Sequence, residues 1–384
     1  MFFFEKKNQK TFARLLARPR SSWATHAKEQ KFFASFFSKK KAFLTLGCDG
    51  RPSQHEQISL RSATGAPTHE GLMINKFSLG LTDSLQFAAG SWTDAAAPVP
   101  AAAHFSTLYA FGDSLSDVGN DYIATDGLIP TSAIYSDGRF TNGDVWVQDL
   151  ARQLKLGTVK ASLDGGQDFA YGGAETGGEK LHQANPIDLP GQLAQFVLDD
   201  PHPEANALYT LSIGANDVID AISEYAKDPS AATTDVRDAV NNEAAFVGDL
   251  AALGAKNFVI LDIPDLGKTP EEAGDAAIAT KLSILYNDEL ETSLKALVAK
   301  DHLSIHLVNV FKLIDEAVAD PSKYGLSNVT TPVWTGNYYD PFSGTLNATG
   351  SAQNKYLFFD SLHPTAAGHL AVADLAHAAL GVIV

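Results

Sequence analysis

The sequence predicts an α/β fold, a three-layer α/β/α sandwich around a mostly parallel sheet. Three observations lead there. From Thr107 onward, short apolar runs alternate with stretches of helical period, the pattern of strands joined by crossover helices. No repeat of about 20–50 residues suggests a solenoid or propeller instead. Two unusual short sequences, Gly112-Asp113-Ser114 and Gly214-Ala215-Asn216-Asp217, fall at the carboxyl ends of predicted strands, where open parallel sheets bind ligands.

The elements follow in order. Thr107 to Phe111 reads as a buried strand, after which the chain turns sharply into a helix with Ser114 at the turn. Val145 to Leu154 has helical spacing, and Leu208 to Ile213 is a second strand. Val236 to Leu253 is a helix stopped by Gly254, and Phe258 to Ile263 a third strand stopped by Pro264. Ile278 to Val298 is a long amphipathic helix, and His302 to Val310 a fourth strand. Tyr356 to Phe359 is an aromatic, strand-like run. Pro364 to Leu380 is an Ala-rich closing helix with Pro364 at its first position. His369 and His377 are expected on its surface.

Of the 384 residues, 45% are hydrophobic and the net charge is −16. That is enough apolar material for one large core or two small ones. An acidic chain lacks the basic face that phosphate backbones require, so nucleic acid is excluded as a partner. No apolar run approaches the roughly 18 residues that cross a bilayer. The single cysteine, Cys48, excludes an internal disulfide framework and a Cys-rich zinc site. No His/Asp/Glu cluster has metal-ligand spacing, and no cofactor is expected.

The charge is uneven. Up to Ala42 the chain carries eleven Lys or Arg against two acids, Glu5 and Glu29, and is studded with Phe, among them Phe2, Phe3, Phe4, Phe32, Phe33, Phe36 and Phe37. Such a start reads as a targeting or membrane-surface segment. It also reads as an over-long start, with the true chain beginning at Met73. Ala95 to Ala103 is an Ala/Pro-rich linker or cleavage region. Residues 1–104 are therefore expected to be a poorly ordered targeting segment and linker, and residues 105–384 the catalytic domain, exported to the periplasm or beyond.

Taken singly, the polar motifs are ambiguous. Ser114 fits an exposed nucleophile at a strand-to-helix turn, and equally a helix cap. In Asp360-Ser361-Leu362-His363-Pro364, the three-residue spacing lets one turn aim a carboxylate at an imidazole. That arrangement suits a base with its orienting acceptor, but also a capped helix start. Gly172-Gly173 would let a backbone N–H approach a substrate, or simply make a turn. Asn216 offers an amide to an oxyanion, or caps a helix. Trp334 to Phe359 holds seven aromatic residues, which could line an acyl pocket or form a local core of their own.

Together, in the order Ser, Gly, Asn, Asp/His, these blocks resemble the GDSL, or SGNH, hydrolases from about Thr107 onward. Phe111 to Asp117, the Gly-Gly-Ala stretch, Gly214 to Asp217 and Asp360-x-x-His363-Pro364 carry the likeness. Gly138-Arg139-Phe140-Thr141-Asn142-Gly143 and Ile263-Pro264-Asp265-Leu266-Gly267 resemble the lipase-like, phospholipase/hemolysin branch. The resemblance implies a flavodoxin-like sheet and hydrolysis of lipid or short-chain esters. It implies Ser114 as nucleophile, His363 as base and Asp360 as its orienter. The oxyanion donors would be the Ser114 and Gly173 N–H groups and the Asn216 side chain. Acyl transfer through the same acyl-enzyme, or a binding protein that lost activity, stay open. An ester is the expected partner, with transient contact to a membrane surface; oligomeric state is not legible. One departure stands out: Asp168 occupies a position where the family usually has Asn.

Overall fold

The computed structural model describes residues 105–177, 187–199 and 203–381. The amino-terminal expectations, including Cys48, the basic stretch and the Ala/Pro run, lie outside the described residues. Four parallel strands form the sheet: β1 (Leu108–Gly112), β2 (Leu208–Ser212), β3 (Asn257–Leu261) and β4 (Ser304–Val308), adjacent in that order. A further segment runs along the free edge of β1. There Ala110 N–H donates to Gln167 O, Phe169 N–H to Ala110 O and Tyr171 N–H to Gly112 O. Counting it, the chain order across the sheet is 2-1-3-4-5, the flavodoxin-like order. It has too few paired residues to stand out as a strand in the sequence.

Strand side chains alternate between the two faces. Phe111, Tyr209, Leu211, Phe258 and Ile260 enter one core, beneath α3 (Leu189–Asp199), α4 (Ala215–Tyr225), α5 (Pro229–Leu253) and α6 (Ala276–Asp301). Leu108, Ala110, Leu208, Val259 and Leu261 enter the other, beneath α2 (Trp146–Gln153), α7 (Val310–Ala319) and α8 (Ala366–Ala379). A short α1 (Asn120–Ala124) follows the first strand. A third, small core joins Tyr135, Val333, Trp334 and Phe359. Among the described residues no helix is long and apolar enough to cross a membrane.

Several boundaries differ from expectation for local reasons. Helix α5 starts at Pro229 rather than Val236, because Asp228 caps it, accepting from Ser230 N–H and Ala231 N–H. Pro364 precedes α8, whose cap is Thr365. After Ser114 comes a single turn closed by Asp117 N–H to Asp113 O, and α1 begins only at Asn120. Tyr356 to Phe359 makes isolated bridges to Asn328 and Pro364 instead of a strand. His369 and His377 are buried. His369 lies against the start of α2, its Nδ1 3.4 Å from Trp146 N.

Candidate active site

The turn after β1 is dictated by crowding. A side chain at Gly112 would place its Cβ 1.9 Å from the Ser212 carbonyl oxygen on β2. Gly112 has a positive φ, and Gln192 of α3 satisfies both its backbone groups. The chain is thereby delivered to Ser114 at the switch point between β1 and β2, where crossovers leave toward opposite sides.

Ser114, His363 and Asp360 meet there. His363 Nε2 lies 2.9 Å from Ser114 Oγ, and its Nδ1 lies 2.8 and 2.9 Å from the two Asp360 oxygens. All three side chains are buried. The Asp360 carboxylate also accepts from Tyr135 Oη at 2.7 Å, His363 N–H at 2.7 Å and Leu362 N–H at 2.9 Å. Burial alone would raise its pKa. The charge and hydrogen bonds of His363, with the Tyr135 hydroxyl, outweigh burial and hold it below the usual carboxylate range. Burial likewise disfavours the imidazolium of His363, yet Asp360, aided by Asp113 and Glu271, carries its pKa above the ordinary histidine value. A base with its proton acceptor facing a hydroxyl, and an ionised carboxylate behind it, can deprotonate that hydroxyl during attack on a carbonyl.

The imidazole is fixed from the side by the Gly138-to-Gly143 block. The Phe140 ring lies 5.2 Å from the His363 ring, and Tyr338 packs on the far side of Phe140. Thr141 Oγ1 donates to Pro364 O, and Asn142 Oδ1 accepts from Ala366 N–H at the start of α8.

Opposite the imidazole stands a second arm. Gly173 has φ +74°, a left-handed turn that glycine adopts without strain. Among the described residues neither the Ser114 nor the Gly173 N–H donates to a protein acceptor. Asn216 does not cap its helix, since Gly214 occupies the cap position. Its amide gives one hydrogen to Ala174 O at 2.8 Å, next door to Gly173, leaving a second free to donate. Donors without a protein acceptor are the kind of group an oxyanion hole uses.

The loop that presents Gly173 is anchored by buried carboxyls. Asp117 accepts from the N–H groups of Gly119, Asn120 and Gly172. Asp217 accepts from Thr176 N–H and Oγ1, and Asp188 from Glu175 N–H. Burial pushes Asp117 and Asp217 up to about 6 and Asp188 up to about 7. Asp168, in place of the usual Asn, accepts from Val118 N–H and Ala170 N–H. Burial, then the charge of Asp117, drive its pKa well above the ordinary value. Both of its oxygens accept, where an Asn would offer only one acceptor, so the hydrogen bonding of this block differs at Asp168.

Two contributors escaped the sequence. Tyr135 sits in a loop with no motif around it. Asn120 links α1 to the edge segment through Asp168 O and Ala170 O, and its one signal was a polar residue directly after Gly119. Conversely, the aromatic loop is mainly its own core: Trp334 and Phe359 are buried there, Phe342 is 92% exposed, and Phe358 alone of the seven borders the cleft at Ser114.

The GDSL-like lipase/acylhydrolase family model matches residues 108–376. The chain is similar to a phosphatidylcholine-sterol acyltransferase of Aeromonas hydrophila, 28% identical over 64% of this chain and 71% of that protein. It is similar to a thermolabile hemolysin of Vibrio parahaemolyticus, 26% identical over 74% of this chain and 65% of the hemolysin. Esterase EstA of Pseudomonas aeruginosa is 27% identical over 74% of this chain, which spans 48% of that esterase.

Proposed function

We propose that this chain, which belongs to the GDSL-like lipase/acylhydrolase family, hydrolyses carboxylic esters through an acyl-enzyme on Ser114. The observation that carries the reading is the unbroken hydrogen-bonded line Ser114 Oγ–His363 Nε2, His363 Nδ1–Asp360.

Ser114 Oγ attacks the ester carbonyl carbon as His363 Nε2 takes its proton. Negative charge gathers on the former carbonyl oxygen, for which the Ser114 and Gly173 N–H groups and the Asn216 amide serve as donors in this reading. Asp360, ionised and held by Tyr135, stabilises the imidazolium. Collapse expels the alcohol, which receives the proton from His363. Water then repeats the sequence and frees the acid. Lipid esters are the favoured substrates, because the cleft at Ser114 is lined mainly by apolar side chains. Transfer of the acyl group to an alcohol uses the same acyl-enzyme, and the likeness to an enzyme named as an acyltransferase supports it as a second outcome. Export rests on the basic, Phe-rich start and the Ala/Pro run before Phe105.

A chain-length series of p-nitrophenyl esters and a phospholipid, each with and without an added alcohol, tests the reading. Hydrolysis by the native chain, with a loss of about 10⁶ in kcat in Ser114→Ala, is expected. Retention of a tenth of native turnover in that variant would remove Ser114 as nucleophile. New ester formed with the added alcohol would establish transfer.

A further inference from the structure

Helix α4 carries Asn216 in its first turn and starts from Gly214, which has φ +97° and no side chain with which to cap the helix. Tyr286 of α6 reaches across to that glycine. A Cβ at Gly214 would lie 2.1 Å from Tyr286 Oη and 2.3 Å from its Cζ, so the backbone at the cap rests on the polar end of the ring. Tyr286 Oη in turn donates to Glu243 Oε2 on α5. Both side chains are fully buried. Glu243 Oε1 has no hydrogen-bond partner among the described residues, so this carboxyl is held through Tyr286. Burial pushes Glu243 up to about 8, which leaves the pair uncharged near neutral pH. A buried carboxyl with an unmet oxygen costs free energy that an apolar side chain of the same size would not. Packing between α5 and α6 therefore gives no reason for a glutamate. What the pair adds is direction: its hydrogen bond fixes the tyrosine oxygen at one place, against the residue from which α4 starts.

We propose that Glu243 and Tyr286 are positioning residues for the ester reaction: they hold Gly214, and through it the start of α4 from which the Asn216 amide donates. The inference rests on the part of Asn216 in the acyl-enzyme reading. Asn216 gives one amide hydrogen to Ala174 O at 2.8 Å, so its backbone has to stay in place for the second hydrogen to serve the oxyanion as well. A displacement of about 1 Å far from the reacting atoms can cost on the order of 10² in rate, which makes a rigid support worth an unfavourable buried carboxyl.

The test replaces the pair by apolar residues, Glu243→Leu with Tyr286→Phe, and follows denaturant midpoint and steady-state hydrolysis of p-nitrophenyl acetate. Replacing both partners leaves no polar group unpaired, so the midpoint should equal or exceed the native value. In the same protein kcat should fall about tenfold or more, with KM little changed. Added to Asn216→Ala, the paired change should cost less than about threefold, because the donor that it positions is already gone. Glu243→Gln keeps an acceptor for Tyr286 Oη and should recover most of the lost kcat. The inference is overturned if the folded pair variant keeps native kcat, or if its loss appears in KM. It is overturned equally if the losses multiply in the Asn216→Ala background, or if Glu243→Gln is as slow as the pair variant. A pair variant that is less stable or does not fold also overturns it, since the pair would then hold the fold rather than the site. Should Asn216→Ala itself keep native kcat, this inference falls and the esterase reading stands. Native protein inert on every ester takes both down.

Discussion

Two arms flank Ser114, one carrying His363 and Asp360 and the other Gly173 and Asn216, and the pKa values of their buried carboxyls move in opposite directions. Asp360 must stay charged to support an imidazolium, and three donors on its oxygens keep it ionised despite burial. Aromatic packing surrounds it: Phe140 on His363, and Tyr135 and Phe359 beside it. The opposite arm only has to aim neutral N–H groups. Its carboxyls serve as buried acceptors, and burial drives Asp117, Asp188, Asp217 and Glu175 upward. Beneath it Glu243 is pushed up to about 8 by burial, and its Oε2 accepts from Tyr286 Oη. A Cβ at Gly214 would lie 2.1 Å from that same Tyr286 oxygen, so the pair sets the floor from which Asn216 rises. Asp360 is thus held below the ordinary carboxylate range and the carboxyls of the other arm above it.

The sharpest way to break this contrast is to remove the charge at Asp360. Asp360→Asn keeps the shape but loses the charge and disturbs the imidazole tautomer, so kcat should fall by about 10⁴. Rates within tenfold of native would mean that the charge at Asp360 is dispensable.

Asn216→Ala strikes the other arm. Loss of one oxyanion donor should lower kcat by about 10²–10³ with KM little changed. Stability should also be measured, because the bond to Ala174 O disappears with it. A variant within threefold of native kcat would leave the hole to the two backbone N–H groups.

The pH profile sharpens the first arm. His363 must be neutral to accept the serine proton, and its pKa is raised above 6.5. The kcat/KM profile should therefore rise with pH through a midpoint above 6.5. Tyr135→Phe removes a donor that draws charge off the Asp360 carboxylate, which leaves a stronger partner for the imidazolium. The midpoint should move up, with kcat reduced by less than about tenfold, the scale of one hydrogen bond. A midpoint that falls, or does not move, counts against the Tyr135 role.

The smallest effect concerns stability beneath the second arm. Glu243 holds its proton in the folded state up to about pH 8, whereas in the unfolded chain it ionises near the ordinary glutamate value. Between those limits the folded state binds more protons, so stability falls as pH rises, by at most about 1.4 kcal/mol per pH unit for one group. Glu243→Gln should flatten that decline in denaturant midpoints from pH 5 to 8. An identical slope in both proteins would show that Glu243 is already ionised when folded.

The sequence by itself determined the four strands, the sites of the unusual turns and the pairing of Asp360 with His363. Those features are local: strand alternation has a period of two, and a three-residue spacing sets one turn. The edge segment at Gln167 to Tyr171 was illegible, because so short a strand forms only against β1. Tyr135 reaches Asp360 across 225 residues, a contact with no local signature. His369 reads as a surface residue by composition, yet the interface of α8 with α2 buries it beside the backbone of Trp146. Whether each carboxyl is charged was likewise decided in three dimensions, since protonation depends on the water removed and the donors supplied by distant elements.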